Sequence, residues 1–227
     1  MPTGQYCLTG NNLYSGVMTE EPSLGLRERK KRSTRRALSD AALTLAFENG
    51  LENVTREDIA ERAGVSLRTF SNYFTGKYDA IAYRQTERVR HSLDALRRRP
   101  ADEPLWAAVT AAILEPLEAE GAADVLPNAA QLAEVRKVIS TPQATIAATK
   151  GAFADWVEVI AARTGTDPEH DLYPRLVVGV IAAVVEAATE TYVNTDPPVH
   201  ITTVLRQGFA AVADGLPTPT ERSVAHD

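Results

Sequence analysis

Cysteine is almost absent from this 227-residue chain: Cys7 stands alone. A disulfide framework within one chain is thereby excluded, and so is a cysteine-based metal site. Histidine is also scarce. His91, His170, His200 and His226 are scattered without metal-ligand spacing, so neither a metal nor another cofactor is expected. Long hydrophobic runs are missing too. The longest, 176–185, is too short to cross a bilayer. No basic stretch followed by an apolar one opens the chain, so the reading is a soluble, cytoplasmic protein with no membrane partner. Catalytic signatures are lacking: there is no G-x-S-x-G, Walker loop, G-x-G-x-x-G or H-E-x-x-H. An enzyme is not expected.

What is present is uneven. Hydrophobic residues make up 44% of the chain, enough for a core, and the net charge is −6. Residues 1–99 hold 17 Lys/Arg against 12 Asp/Glu, while residues 100–227 hold 7 against 18. Seven of the cations crowd into 27–36, "RERKKRSTRR". A basic front on an acidic protein is the footprint of a polyanion met at one end. A solvated basic helix face is the alternative.

The periodicity predicts an all-α protein of about nine helices. Residues 1–26 read as a flexible arm, 27–80 as a small first unit, 81–215 as a larger helical domain and 216–227 as a disordered tail. Within the first unit, a helix from about 27 ends at Gly50, a plausible left-handed cap. Thr55 can cap a short second helix, with Asp58 completing a capping box and Val54 and Ile59 a hydrophobic staple. Gly64 ends it, Ser66 caps the next, and Val65 with Phe70 repeats the staple. Two short helices joined by a Gly-containing turn form a helix-turn-helix pattern. A longer helix, capped by Thr75, runs from Lys77 to about 99. Further helices are expected at 105–118, up to 139, from Pro142 through 163, from an Asp167-Pro168 start to about 194, and up to about 214.

Three cations, Arg56, Arg68 and Lys77, then fall in first turns, where the helix dipole disfavours them. Phosphate outside would reverse that sign. Phe70 and Phe74, four apart, would face inward and leave Leu67, Arg68, Ser71 and Asn72 pointing out. Arg suits the major-groove edge of guanine, Asn that of adenine, and Leu67 a thymine methyl. Thr69, Tyr73 and Lys77 are placed for backbone phosphates, as are Thr55 and Ser66 at the helix ends. Each has a structural alternative: Thr69 as a cap, Tyr73 as a half-buried core aromatic. The basic run, with Arg32 and Arg35, has two readings as well. It could thread a minor groove as an arm, or attract phosphate nonspecifically.

At "TREDIAERAGVSLRTFSNYFTGK" the chain resembles the DNA-binding unit of the TetR (tetracycline-repressor-like) family of bacterial regulators. The marks are Ala63, Gly64, Val65, Ser66, Thr69, Tyr73, Phe74 and Lys77. The resemblance covers roughly 30–80; beyond it, only helix number and length agree. The family often has Tyr where this chain has Ser71 and His where it has Asn72, so no operator sequence carries over.

The resemblance implies a homodimer that binds double-stranded operator DNA and is released by a small-molecule effector, acting as a repressor. An activator on the same fold is an alternative, and an architectural DNA-binding protein is a further one. It also implies a dimer built from the last two long helices. Segment 176–185 is apolar around its circumference, as a helix covered on two sides should be. Val177, Val180, Ile181 and Val184 are the expected contacts there, with Val204, Leu205 and Phe209 on the last helix, and Gly179 allowing close approach. Trp106, Ile113, Phe153, Trp156, Ile160 and Tyr173 are candidates for an apolar effector cavity. Plain core is the competing reading for each. Glu186 and Glu190 would meet a cationic effector or face the interface rim.

Overall fold

A computed structural model of the protein describes residues 25–124, 126–141 and 152–218. The expected arm through residue 24, the helix start at Pro142 with Ile146, and the tail beyond 218 lie outside these. Among the described residues there are nine α-helices and no strand. They are α1 (Leu26–Asn49), α2 (Arg56–Arg62), α3 (Leu67–Tyr73), α4 (Lys77–Arg98), α5 (Leu105–Ala119), α6 (Ala129–Ile139), α7 (Ala152–Thr164), α8 (Leu172–Asn194) and α9 (Ile201–Ala213). A 3-10 turn, Leu51–Asn53, joins α1 to α2.

Two apolar cores account for the architecture. The first gathers Leu38, Leu45, Leu51, Ile59, Phe70, Phe74 and Ile81 from α1 to the start of α4. The second gathers Leu93, Leu96, Leu114, Trp156, Ile160, Ile181 and Phe209 from α4 onward. Helix α4 belongs to both. At 22 residues it is about 33 Å long, enough to run out of one body and into the other.

Several local expectations hold in atomic detail. Thr55 caps α2: its Oγ1 accepts from Asp58 N–H at 3.1 Å, and the Asp58 carboxylate accepts from Thr55 N–H at 3.0 Å. Val54 and Ile59 are buried side by side in the first core. Gly64 (φ +67°) supplies the left-handed residue that turns α2 into α3.

Others are corrected. Gly50 has φ +83° but ψ 138°, so it redirects the chain into the 3-10 turn instead of closing α1 as a left-handed cap. Helix α8 starts at Leu172, not at Pro168. Asp167 instead ties a turn, accepting from the N–H groups of Glu169 and His170 at 2.7 and 3.1 Å. Pro174 then sits in the first turn of α8, where a missing N–H costs nothing. Gly179 has no atom near an added Cβ, whereas one on Gly208 would meet Val184 Cγ1 at 2.9 Å. Close helix approach therefore belongs to Gly208, where α9 crosses α8.

By length and composition alone α8, with a mean hydropathy of 1.7, would cross a membrane. One side of it is instead committed to the second core through Val177, Val178 and Ile181.

Candidate nucleic-acid interface

Helix α3 is seated from below and bare on top. Phe70 is fully buried and Phe74 nearly so, with ring centroids 6.0 Å apart. Leu67, Arg68, Ser71 and Asn72 are all exposed. Ser66 caps the helix, accepting the Thr69 N–H at 3.1 Å, and the two hydroxyls lie 2.9 Å apart. Thr69 is thus both a partner of the cap and half-exposed. Tyr73 is half-buried against the first core. The outward set expected from the sequence is brought together on one face.

The three first-turn cations fare differently. Arg56 opens α2, but Glu57 and Asp58 in the same turn already answer the dipole. Arg68 has no such company, because the first turn of α3 carries no acid. Lys77 is a correction. Its ammonium donates to the carbonyls of Leu51 and Glu52 at 2.9 and 3.1 Å, so its charge is met by the end of the 3-10 turn. Nor does Thr75 cap α4. The cap is Gly76, because the Asp79 carboxylate takes both the N–H and the hydroxyl of Thr75. Cations at helix starts thus demand an external anion at Arg68 more than at the other two.

The basic run is not an extended arm. Residues 27–36 are helical, forming the first turns of α1 ahead of its first buried residue, Leu38. Their cations point around the whole helix. Arg35 lies over the Tyr83 ring, 5.7 Å from its centroid, and Arg32 is half-buried with a contact of its own. Neither is posed to thread a groove.

The expected effector cavity is not assembled. Trp156 and Ile160 are closed into the second core, Ile113 packs against it, and Phe153 and Tyr173 are 42% and 47% exposed. Trp106 alone borders a concavity, a groove of about 320 Å³ between α5 and α9. Its ring stacks on Phe209 at 6.5 Å, and Thr110, Arg206 and four alanines complete the lining. The expected dimer contacts are corrected for a related reason. Val177, Ile181, Leu205 and Phe209 fill the subunit's own core, while Val180, Val184 and Val204 are only partly covered. The outward stripe of α8 is instead Leu172, Leu176, Gly179, Ala183, Glu186 and Ala187.

One constellation went unread in the sequence. Where α1, α4 and the end of α5 meet, Arg84 is 6% exposed and its Nη1 lies 2.6 Å from Asp40 Oδ1. Its Nε lies 3.1 Å from Glu120 Oε1, and Arg88 Nη2 holds the other Glu120 oxygen at 2.6 Å. Burial raises the Asp40 carboxyl above its ordinary value against the pull of Arg84. Burial, with Glu87 beside it, pushes the Tyr83 phenol up to about 12. Burial and Arg90 depress His91. A spacing of four from Ala80 through Arg84 to Arg88 was the available signal, an arginine in line with a core alanine. Among the described residues no cluster of three or more His, Cys, Asp or Glu is placed to hold a metal.

Comparison with known proteins agrees with this geometry. Residues 38–81 match the family described as "Bacterial regulatory proteins, tetR family", and residues 103–217 match the "MftR C-terminal domain". The HTH-type transcriptional regulator TcmR of Streptomyces glaucescens is 32% identical over 207 residues, spanning 85% of this chain and 86% of TcmR. The mycofactocin biosynthesis regulator MftR of Mycobacterium tuberculosis is 28% identical over 195 residues, spanning 83% and 93%. Among solved structures, the FadR repressor of Thermus thermophilus bound to lauroyl-CoA superposes with a TM-score of 0.52 at 17% identity, covering 85% of this chain and all of FadR. Bacillus halodurans FadR gives 0.53 at 21%, covering 81% and 96%. With a helix-turn-helix whose outer face is bare, a larger helical domain behind it, and relatives spanning both, the chain belongs to the TetR family of DNA-binding transcriptional regulators.

Proposed function

We propose that the protein is a cytoplasmic, homodimeric repressor that holds operator DNA through α3 and releases it when a small molecule binds the C-terminal domain. The observation that carries this reading is the exposed set Leu67, Arg68, Ser71 and Asn72 on a helix anchored by Phe70 and Phe74. Arg68 and Asn72 would read base edges and Leu67 a thymine methyl. Thr55, Arg56, Ser66, Thr69, Ser71 and Tyr73 would fix register on phosphates. Lys77 would give its third N–H to phosphate while keeping its two carbonyls. The helical basic run would add salt-sensitive attraction, with Arg32 and Arg35 contributing charge and not base contacts.

The second copy would cover the stripe of α8 from Leu172 to Ala187. Only 28% of that helix's most apolar window is buried within the subunit, so much of an apolar helix is left for a partner. Glu186 lies within this stripe and Glu190 one turn further on, which favours the interface over a cationic effector. Pairing there would set two recognition helices about 34–36 Å apart, one turn of duplex. The effector's chemical class stays open. The groove beside Trp106 is of the size of small-ligand clefts.

Transcription in vitro tests this directly. A promoter overlapping a duplex selected by the purified protein should be silenced by it and reopened by small-molecule fractions from the host. A promoter that fires faster on addition of the protein would contradict repression.

A further inference from the structure

The two cores meet along α4, and the join between them is ionic. Ile81 is the last α4 residue buried in the first core, and Val89 is the first to pack on the second. Between them lie Arg84 and Arg88. Arg84, nearly closed off from solvent, grips Asp40 on α1 at 2.6 Å and Glu120 just past α5 at 3.1 Å. Arg88 secures the far oxygen of Glu120 at 2.6 Å. Ser39, also buried, and the three charged partners border a residual space of about 20 Å³, the volume of a single water. The join is therefore directional and loosely filled, where the cores on either side are close-packed. A rigid apolar contact would move as one piece. A set of charge-assisted hydrogen bonds around a small space has alternative pairings.

We propose that the Asp40–Arg84–Glu120 bridge couples the two halves of the subunit, with Arg84 and Glu120 as positioning residues. The bridge fixes how α1, and the helix-turn-helix packed on it, sits relative to the end of α5. DNA at α3 then alters α5, and by thermodynamic reciprocity a change at α5 alters DNA affinity. This rests on the DNA-binding reading above. A second crossing, the Leu51 N–H donated to Glu134 of α6 at 2.8 Å, provides a rival route.

Hydrogen exchange of α5 in the full-length protein, with and without a saturating duplex recovered by selection from a random pool, distinguishes them. In the wild type, exchange across 105–119 should change on adding duplex. Glu120→Gln and Arg84→Lys should still bind duplex but lose at least half of that response. Arg98→Ala, which breaks an exposed α4–α5 pair to Glu115, should keep all of it. If Glu120→Gln fails to fold, Arg84→Lys decides alone. A full response in these variants overturns the proposal. So does a wild-type α5 indifferent to duplex, or a response lost in Glu134→Gln but kept in Glu120→Gln. If no duplex binds the wild type at all, it is the DNA-binding reading that fails.

Discussion

Truncating Arg68 or Asn72 leaves α3 in place, because Phe70 and Phe74 hold it from the opposite side. Either alanine variant should therefore fold normally yet lose about 1–3 kcal/mol on the operator and relax preference at one base pair, read by competition binding. Lys77→Ala should behave otherwise. It removes a cation from the interface and two hydrogen bonds from the Leu51 and Glu52 carbonyls. Affinity should fall for all sequences with a flatter salt dependence, and thermal unfolding should show a stability loss of about 1.5 kcal/mol. A Lys77→Ala protein as stable as the wild type would remove the structural half of that role. The outward set on α3 was legible because two aromatics four apart define an inside. The partners of Lys77 were not, since they lie 25 and 26 residues earlier and only the folded turn brings them close.

Capping chemistry sets the elements. Thr55→Ala should cost about 1 kcal/mol in chemical denaturation by opening the first turn of α2. Its partner Asp58 has its pKa held below the ordinary 3.8 by hydrogen bonds from the Thr55 hydroxyl and N–H. A carboxyl depressed in the folded state stabilises above its unfolded pKa, and that contribution is lost as pH falls through the folded value. Asp58→Asn should therefore flatten the acid limb of stability against pH; an unchanged limb would remove Asp58 from it. At the α8–α9 crossing, Gly208→Ala drives a methyl to within 2.9 Å of Val184. A loss of about 1–3 kcal/mol is expected there. Capping boxes were readable because their residues are three apart. The start of α8 was misread because Asp167 and Asp171 both offer caps, and Pro174 suits a first turn only with the later one. Gly208 had no sequence signal, since its need arises from another helix.

For the whole molecule, burial within the subunit decided which apolar residues remain for a partner. Periodicity marks a helix as greasy on all sides but does not say which side its own subunit takes. That is why Val177, Ile181, Leu205 and Phe209 were expected at the interface and found in the core. The same ambiguity scattered the expected effector cavity. Ala183→Arg, on the exposed stripe of α8, should convert the dimer to a monomer in sedimentation while helical content is retained. A variant that stays dimeric would move the interface elsewhere. All of these expectations converge on a dimer presenting two copies of one α3 face to duplex DNA. Parallel selection of duplexes from a random pool by wild type and by Arg68→Ala tests it most directly. Wild type should enrich two half-sites whose centres lie about 10–10.5 base pairs, or a multiple of that, apart. Arg68→Ala should keep that spacing and lose preference at one base pair in each half-site. Identical sequences from both proteins, or no enrichment by wild type, would contradict the account.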